Sequence, residues 1–107
     1  MERGKTVAVQ GKAKGMTGSM LKEPGKYNVI FHNDDFTTMD FVVSVLIEIF
    51  RKTPAEAERI MMAVHEKGRA AAGCYPLDIA NTKTDITVSR ARREGFPLRL
   101  TVEEAQK

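Results

Sequence analysis

From Met39 to Phe50 the only polar side chains are Asp40, Ser44 and Glu48, each four residues from the next. Wound as an α-helix, these three form one narrow polar stripe. The other positions, Met39, Phe41, Val42, Val43, Val45, Leu46, Ile47, Ile49 and Phe50, are all apolar. Such a helix has to be covered on most of its circumference, so it belongs at the centre of a core and needs other elements around it. Its β-branched residues lower intrinsic helix propensity, which leaves packing as the source of its stability. The run from Phe41 to Phe50, broken by Ser44 and Glu48, is too short and too polar to cross a bilayer. At 107 residues, 42% hydrophobic and 29% charged, the chain has material for one globular domain around this helix.

The flanking segments supply the cover. Residues 26–32 (K-Y-N-V-I-F-H) are rich in β-formers, and Tyr27, Val29 and Phe31 alternate with Asn28, Ile30 and His32, as in a strand. Asn33, Asp34 and Asp35 then favour a turn, and Thr37 or Thr38 offers an N-cap to the apolar helix, which runs to about Arg51. Thr53-Pro54-Ala55-Glu56 starts a second helix: Thr53 caps, Pro54 needs no donor, and Glu56 closes a capping box. Ala57, Ile60, Met61 and Val64 mark its apolar face, and Gly68 ends it. Residues 69–75, confined between Gly68 and Pro76, are expected as a short strand. A third helix is expected from Asp78 to Glu94, closed by Gly95 and Pro97, and Leu98, Leu100 and Val102 alternate in a last strand. The order β-α-α-β-α-β describes an α+β domain, a three-stranded sheet covered by helices on one face.

Charge is unevenly distributed. Residues 1–26 hold six basic and two acidic side chains, whereas residues 27–107 hold eleven and twelve. The net +3 thus resides in a glycine-rich segment without apolar periodicity, and residues 1–25 are expected to be a flexible basic N-terminal extension ahead of a domain at 26–107. A basic extension suggests, as the alternative reading, a nucleic-acid or ribosome-associated module. It lacks the interleaved aromatics of a single-strand platform, so no nucleic-acid partner is expected. With Cys74 as the single cysteine and no signal-peptide pattern, a reducing cytoplasmic location is the expectation, with no membrane association. Two histidines and one cysteine exclude a closed zinc cage of the usual ligands, and no cofactor is expected.

The chemistry-bearing residues cluster around Asn33-Asp34-Asp35, at a strand end just before the buried helix. Turn formation explains these residues, and so does a binding loop. His65, at the apolar edge of the second helix, is either a hydrogen-bonded structural histidine or a ligand-binding group. Cys74 with His65 lacks any oxyanion-hole motif, which argues against a thiol hydrolase. A metal site from His32, Asp34, Asp35 and His65 follows no ligand-spacing pattern. Met39, Val42, Met61 and Val64 are spaced as core stripes on their helices. If those faces meet beside the 33–35 loop, they form an apolar hole with a polar, anionic rim. That shape suits a ligand with an apolar body and a cationic head.

The stretch from Tyr27 to Val42, the segment Met61-Met62-Ala63-Val64-His65-Glu66-Lys67-Gly68 and the closing Phe96-Pro97-Leu98 together resemble the ClpS family of protease adaptors. The likeness extends over roughly residues 26–103. It implies a binding module rather than an enzyme, one that recognises proteins beginning with Leu, Phe, Tyr or Trp and delivers them to the ClpA unfoldase of the ClpAP protease. It further implies that Asn33, Asp34 and His65 hold the substrate's α-amino group. Asp35 and Thr37 are implied to shape the loop and meet the peptide backbone, with Met39, Val42, Met61, Val64 and Leu98 lining the side-chain pocket. Met39 is implied as the gate against β-branched first residues. Asp78, Asn81, Thr82 and Lys83 correspond to the segment that docks on the N-domain of a ClpA-type AAA+ unfoldase, and the N-terminal extension is implied to act on that unfoldase. Thr38 stands where the family often has proline, a departure expected to loosen the start of the first helix.

Overall fold

A computed structural model describes residues 25–105; the N-terminal extension of the sequence reading lies outside the described residues but for Gly25. The elements follow the order β1 (Tyr27–His32), α1 (Met39–Glu48), α2 (Pro54–Lys67), β2 (Arg69–Tyr75), α3 (Leu77–Arg93) and β3 (Arg99–Glu104). The strands form one antiparallel sheet in the order β2-β1-β3. The α+β domain with three helices and a three-stranded sheet is the architecture expected from the sequence.

Alternation along β1 sorts its side chains between two environments. Val29 and Phe31 are fully buried in the same cluster as Val45 and Leu46 of α1, Ala57 of α2 and Ala91 of α3. Asn28 and His32 lie on the opposite face. α2 packs over β2, and α3 over β1 and β3. The residues of β2 are small enough for α2 to lie close to the sheet. Between Ala71, which pairs with Ile30, and Gly73, which pairs with Val29, Ala72 is an extra residue. This bulge turns Ala72 into the core, where it is 1% exposed.

The helix ends follow local chemistry. Thr53 accepts from the Glu56 amide at 3.1 Å while the Glu56 carboxylate accepts from the Thr53 amide at 2.9 Å, a complete capping box. Gly68 closes α2 at φ 91° and Gly95 follows α3 at φ 81°, conformations that disfavour a Cβ. α1 is shorter than its periodicity implies and ends at Glu48, because the chain wraps at once: the Lys52 amide donates to the Leu46 carbonyl at 3.0 Å, and Arg51 adopts φ 60°. The two residues that follow, Ile49 and Phe50, still bury their side chains, and Phe50 meets Phe31 edge-on at 5.4 Å between centroids. Apolar periodicity therefore outlasts the helix itself.

Candidate functional site

The site is assembled where β1 stops. The Asn33 amide donates to the Gly68 carbonyl at 2.9 Å, and the Gly68 amide donates to the Val64 carbonyl at 2.9 Å. The end of β1 is thus pinned to the C-terminus of α2, one turn from His65. The loop beyond is built on a single carboxylate. Asp34 Oδ1 accepts from the Phe36 amide at 2.8 Å and the Thr37 amide at 2.7 Å, and Oδ2 accepts from the Thr37 hydroxyl at 2.8 Å. Burial alone raises the Asp34 carboxyl, but these three hydrogen bonds outweigh it and hold the group below the ordinary value of 3.8, with a smaller contribution from Arg92. Asp34 is therefore an anion throughout the neutral range, and its Oδ2 keeps acceptor capacity for a further donor.

Thr38 then caps α1, its hydroxyl accepting from the Phe41 amide at 3.2 Å. Its φ of −75° is also one that proline takes. The hydroxyl thus gives the start of α1 a side-chain cap, which a proline at this position would lack. With both helix starts set, Met39 and Val42 of α1 face Met61, Val64 and His65 of α2. Together with Asn33, Asp34, Asp35 and Thr37 they line a cavity of about 240 Å³. Val42, Met61 and Val64 are buried at its base, and Met39 is 44% exposed. An apolar floor and a rim of carbonyl, carboxylate and imidazole acceptors meet in one hole.

Leu98 departs from the expected arrangement. It is 1% exposed in the core cluster and does not line the cavity; Arg92 donates to the Phe96 and Leu98 carbonyls at 2.8 and 2.9 Å and ties the end of α3 to the turn before β3. The two adjacent carboxylates also divide the work differently from the expectation. Asp34 with Thr37 holds the loop, whereas Asp35 makes no side-chain hydrogen bond among the described residues. Nothing in the bare sequence separates the two aspartates; only the position of the Phe36 and Thr37 amides does. His32, adjacent to the site in sequence, faces the other side of the sheet. It shares a 2.8 Å hydrogen bond with Thr101, and burial and the nearby Arg99 and Arg69 hold its pKa below 6.5 against the pull of Glu103.

A second depression, of about 460 Å³, lies between the end of α1 and the face of α3 from Asp78 to Arg90. Asp78, Thr82 and Lys83 line it with Ile79 and Ile86, and Asn81 is exposed on the same helix. Lys83 is committed within the fold: its ammonium donates to the Ile49 carbonyl at 2.7 Å and lies 5.3 Å from the Tyr75 ring and 5.8 Å from that of Phe50.

Comparison with known proteins identifies the family. The family model for ATP-dependent Clp protease adaptor protein ClpS matches residues 22–101. The ATP-dependent Clp protease adapter protein ClpS of Nitratidesulfovibrio vulgaris (strain Miyazaki F) is 58% identical over 84 residues, covering 78% of this chain and 84% of its own. Its counterpart in Lawsonia intracellularis is 45% identical over 95 residues, covering 89% and 87%. Among solved structures, Agrobacterium tumefaciens ClpS2 bound to L-phenylalaninamide superposes with a TM-score of 0.75 at 36% identity, covering 78% of this chain and all of that one. Sequence and fold agree, and the chain belongs to the ClpS family, the adaptors of the ATP-dependent Clp protease.

Proposed function

We propose that this adaptor binds polypeptides that begin with a bulky hydrophobic residue, Leu, Phe, Tyr or Trp, by gripping the free α-amino group and the first side chain together. The observation that carries the reading is the 240 Å³ cavity itself, apolar at its base and ringed by acceptors at its mouth. A free amino terminus is mostly cationic at neutral pH and offers three N–H donors. Asn33, Asp34 and His65 supply an amide carbonyl, a carboxylate and an imidazole nitrogen to receive them. Met39, Val42, Met61 and Val64 enclose the side chain, and Asp35 and Thr37 meet the peptide backbone. L-phenylalaninamide, the ligand of the Agrobacterium protein, has the same combination of free amine and aromatic side chain.

Discrimination follows from desolvation. An internal residue has one amide donor, no charge and a chain on its other side, so it leaves acceptors unpaired at roughly 1–3 kcal/mol each. Burying a Leu or Phe side chain contributes about 1.5–3 kcal/mol. No step of this task breaks or forms a covalent bond, and the chain acts as an adaptor without catalysis of its own. In this reading residues 26–107 are the adaptor domain. Asp78, Asn81, Thr82 and Lys83 present it to the N-domain of a ClpA-type unfoldase in the cytoplasm, Lys83 by shaping α3 from within. Residues 1–25 act on the unfoldase.

The test is a fluorescence titration with peptides that differ only at the first residue, each with a free and an acetylated amino terminus. Leu-, Phe-, Tyr- and Trp-initiated peptides are expected to bind at micromolar or lower Kd, and their acetylated forms at least tenfold more weakly. Equal binding of free and acetylated forms refutes the reading.

A further inference from the structure

Phe36 is the most exposed large hydrophobic residue in the described structure, with 74% of its surface open to solvent. It is not on a slack segment: its own amide and that of Thr37 both donate to Asp34 Oδ1, so the backbone that carries the ring is held from both sides. Its two neighbours, Asp35 and Thr37, line the cavity, which places the Phe36 Cα about 3.8 Å from each of theirs. The core makes no use of this ring, since Phe36 belongs neither to the buried cluster nor to the partly buried residues packed on it. Met39, three residues on, lines the cavity and is 44% exposed, and Met62, 39% exposed, lies one helical turn before His65 on α2.

We infer that Phe36 is a specificity-determining contact for the second residue of the bound polypeptide, favouring a large apolar side chain there. The inference rests on the grip on the first residue proposed above. With the α-amino group at the rim and the first side chain in the hole, the chain has to leave through the mouth. The second Cα then lies about 3.8 Å from the first, within a side chain's reach of the 33–37 loop. The backbone that carries the ring is fixed by Asp34, and shared apolar burial between the exposed ring and a large second side chain becomes selectivity.

The experiment measures Kd for Leu-initiated peptides carrying Gly, Ala, Leu or Phe in second place, with the full chain and with Phe36→Ser. Thermal unfolding is followed to confirm that the variant is folded. The native chain is expected to bind the Leu- and Phe-second peptides about five- to tenfold more tightly than the Gly-second peptide, which corresponds to roughly 40–55 Å² of shared apolar burial. In Phe36→Ser that ratio falls to near one. A ratio near one in the native chain, or a preference that survives in Phe36→Ser, overturns the inference while first-residue recognition stands. An acetylated amino terminus that binds equally well overturns both. If Phe36→Ser keeps the second-residue preference but weakens capture by the unfoldase N-domain, the ring belongs to that docking surface and the inference fails.

Discussion

Asp34→Asn separates charge from loop geometry at the site. The amide oxygen of Asn can still accept from the Phe36 and Thr37 amides, the two hydrogen bonds of 2.8 and 2.7 Å that set the loop. The Thr37 hydroxyl, which now donates to Oδ2 at 2.8 Å, can turn and accept from the new amide instead. The loop therefore survives, and what disappears is a negative charge facing the substrate's ammonium. Two unit charges 4 Å apart attract by about 1 kcal/mol in bulk water and about 4 kcal/mol at an effective dielectric of 20. Asp34 is only part-buried, so screening keeps the loss towards the low end, about 1–2 kcal/mol. That is a five- to thirtyfold rise in Kd for a Leu-initiated peptide. Fluorescence anisotropy against free and acetylated peptides reads it, with circular-dichroism melting as the check on folding. The variant's penalty should fall on the free amine and leave the weak acetylated binding alone. Affinity equal to the native chain's, in a variant that melts normally, would refute the claim that the carboxylate meets the amino group. Asp34→Ala is the complementary control: it also strands two loop amides and should lose both affinity and melting temperature.

Three further outcomes are expected. Met39→Ala opens the 44%-exposed wall at the mouth, and peptides beginning with Ile or Val should bind at least about fivefold better than to the native chain, measured by the same titration. His32 is held below 6.5 by burial and by the arginines beside it, so the folded state favours its neutral form. The resulting stability is complete above the unfolded value and is lost as pH falls through the folded one. Melting temperature should decline between pH 7 and pH 5, and His32→Gln should flatten that slope. Arg51 holds a left-handed φ of 60° at the end of α1, so Arg51→Gly should raise stability by about 0.5–1 kcal/mol in urea unfolding, after a few tenths are returned by losing a cation near the helix C-terminus.

Local codes carried much of the fold. The Thr53-Pro54-Glu56 box and Gly68 bracket α2 within the sequence itself, because a cap needs only residues three or four apart. The apolar run of α1 required burial over most of its circumference but overstated the helix, since Ile49 and Phe50 reach the core from a turn. The bulge at Ala72 left no trace in periodicity, as a run of alanines looks alike in any register.

The candidate site divides along the same line. The residue types at 33–35, 39, 42, 61, 64 and 65 are legible from spacing, because each helix face follows from its own 3.6-residue period. That the two faces converge on one hole comes from the packing of α1 on α2, with the Asn33–Gly68 hydrogen bond joining residues 35 apart beside it, and both are tertiary events. The burial of Leu98 comes from packing in a core cluster drawn from all three helices and the sheet. Which aspartate builds the loop was decided by the direction of two amides, and which groups remain free to meet a ligand was decided with it. Sequence determined the chemistry available at the mouth of the cavity. Tertiary structure determined its geometry, because hydrogen-bond direction and side-chain burial exist only once distant segments are in contact.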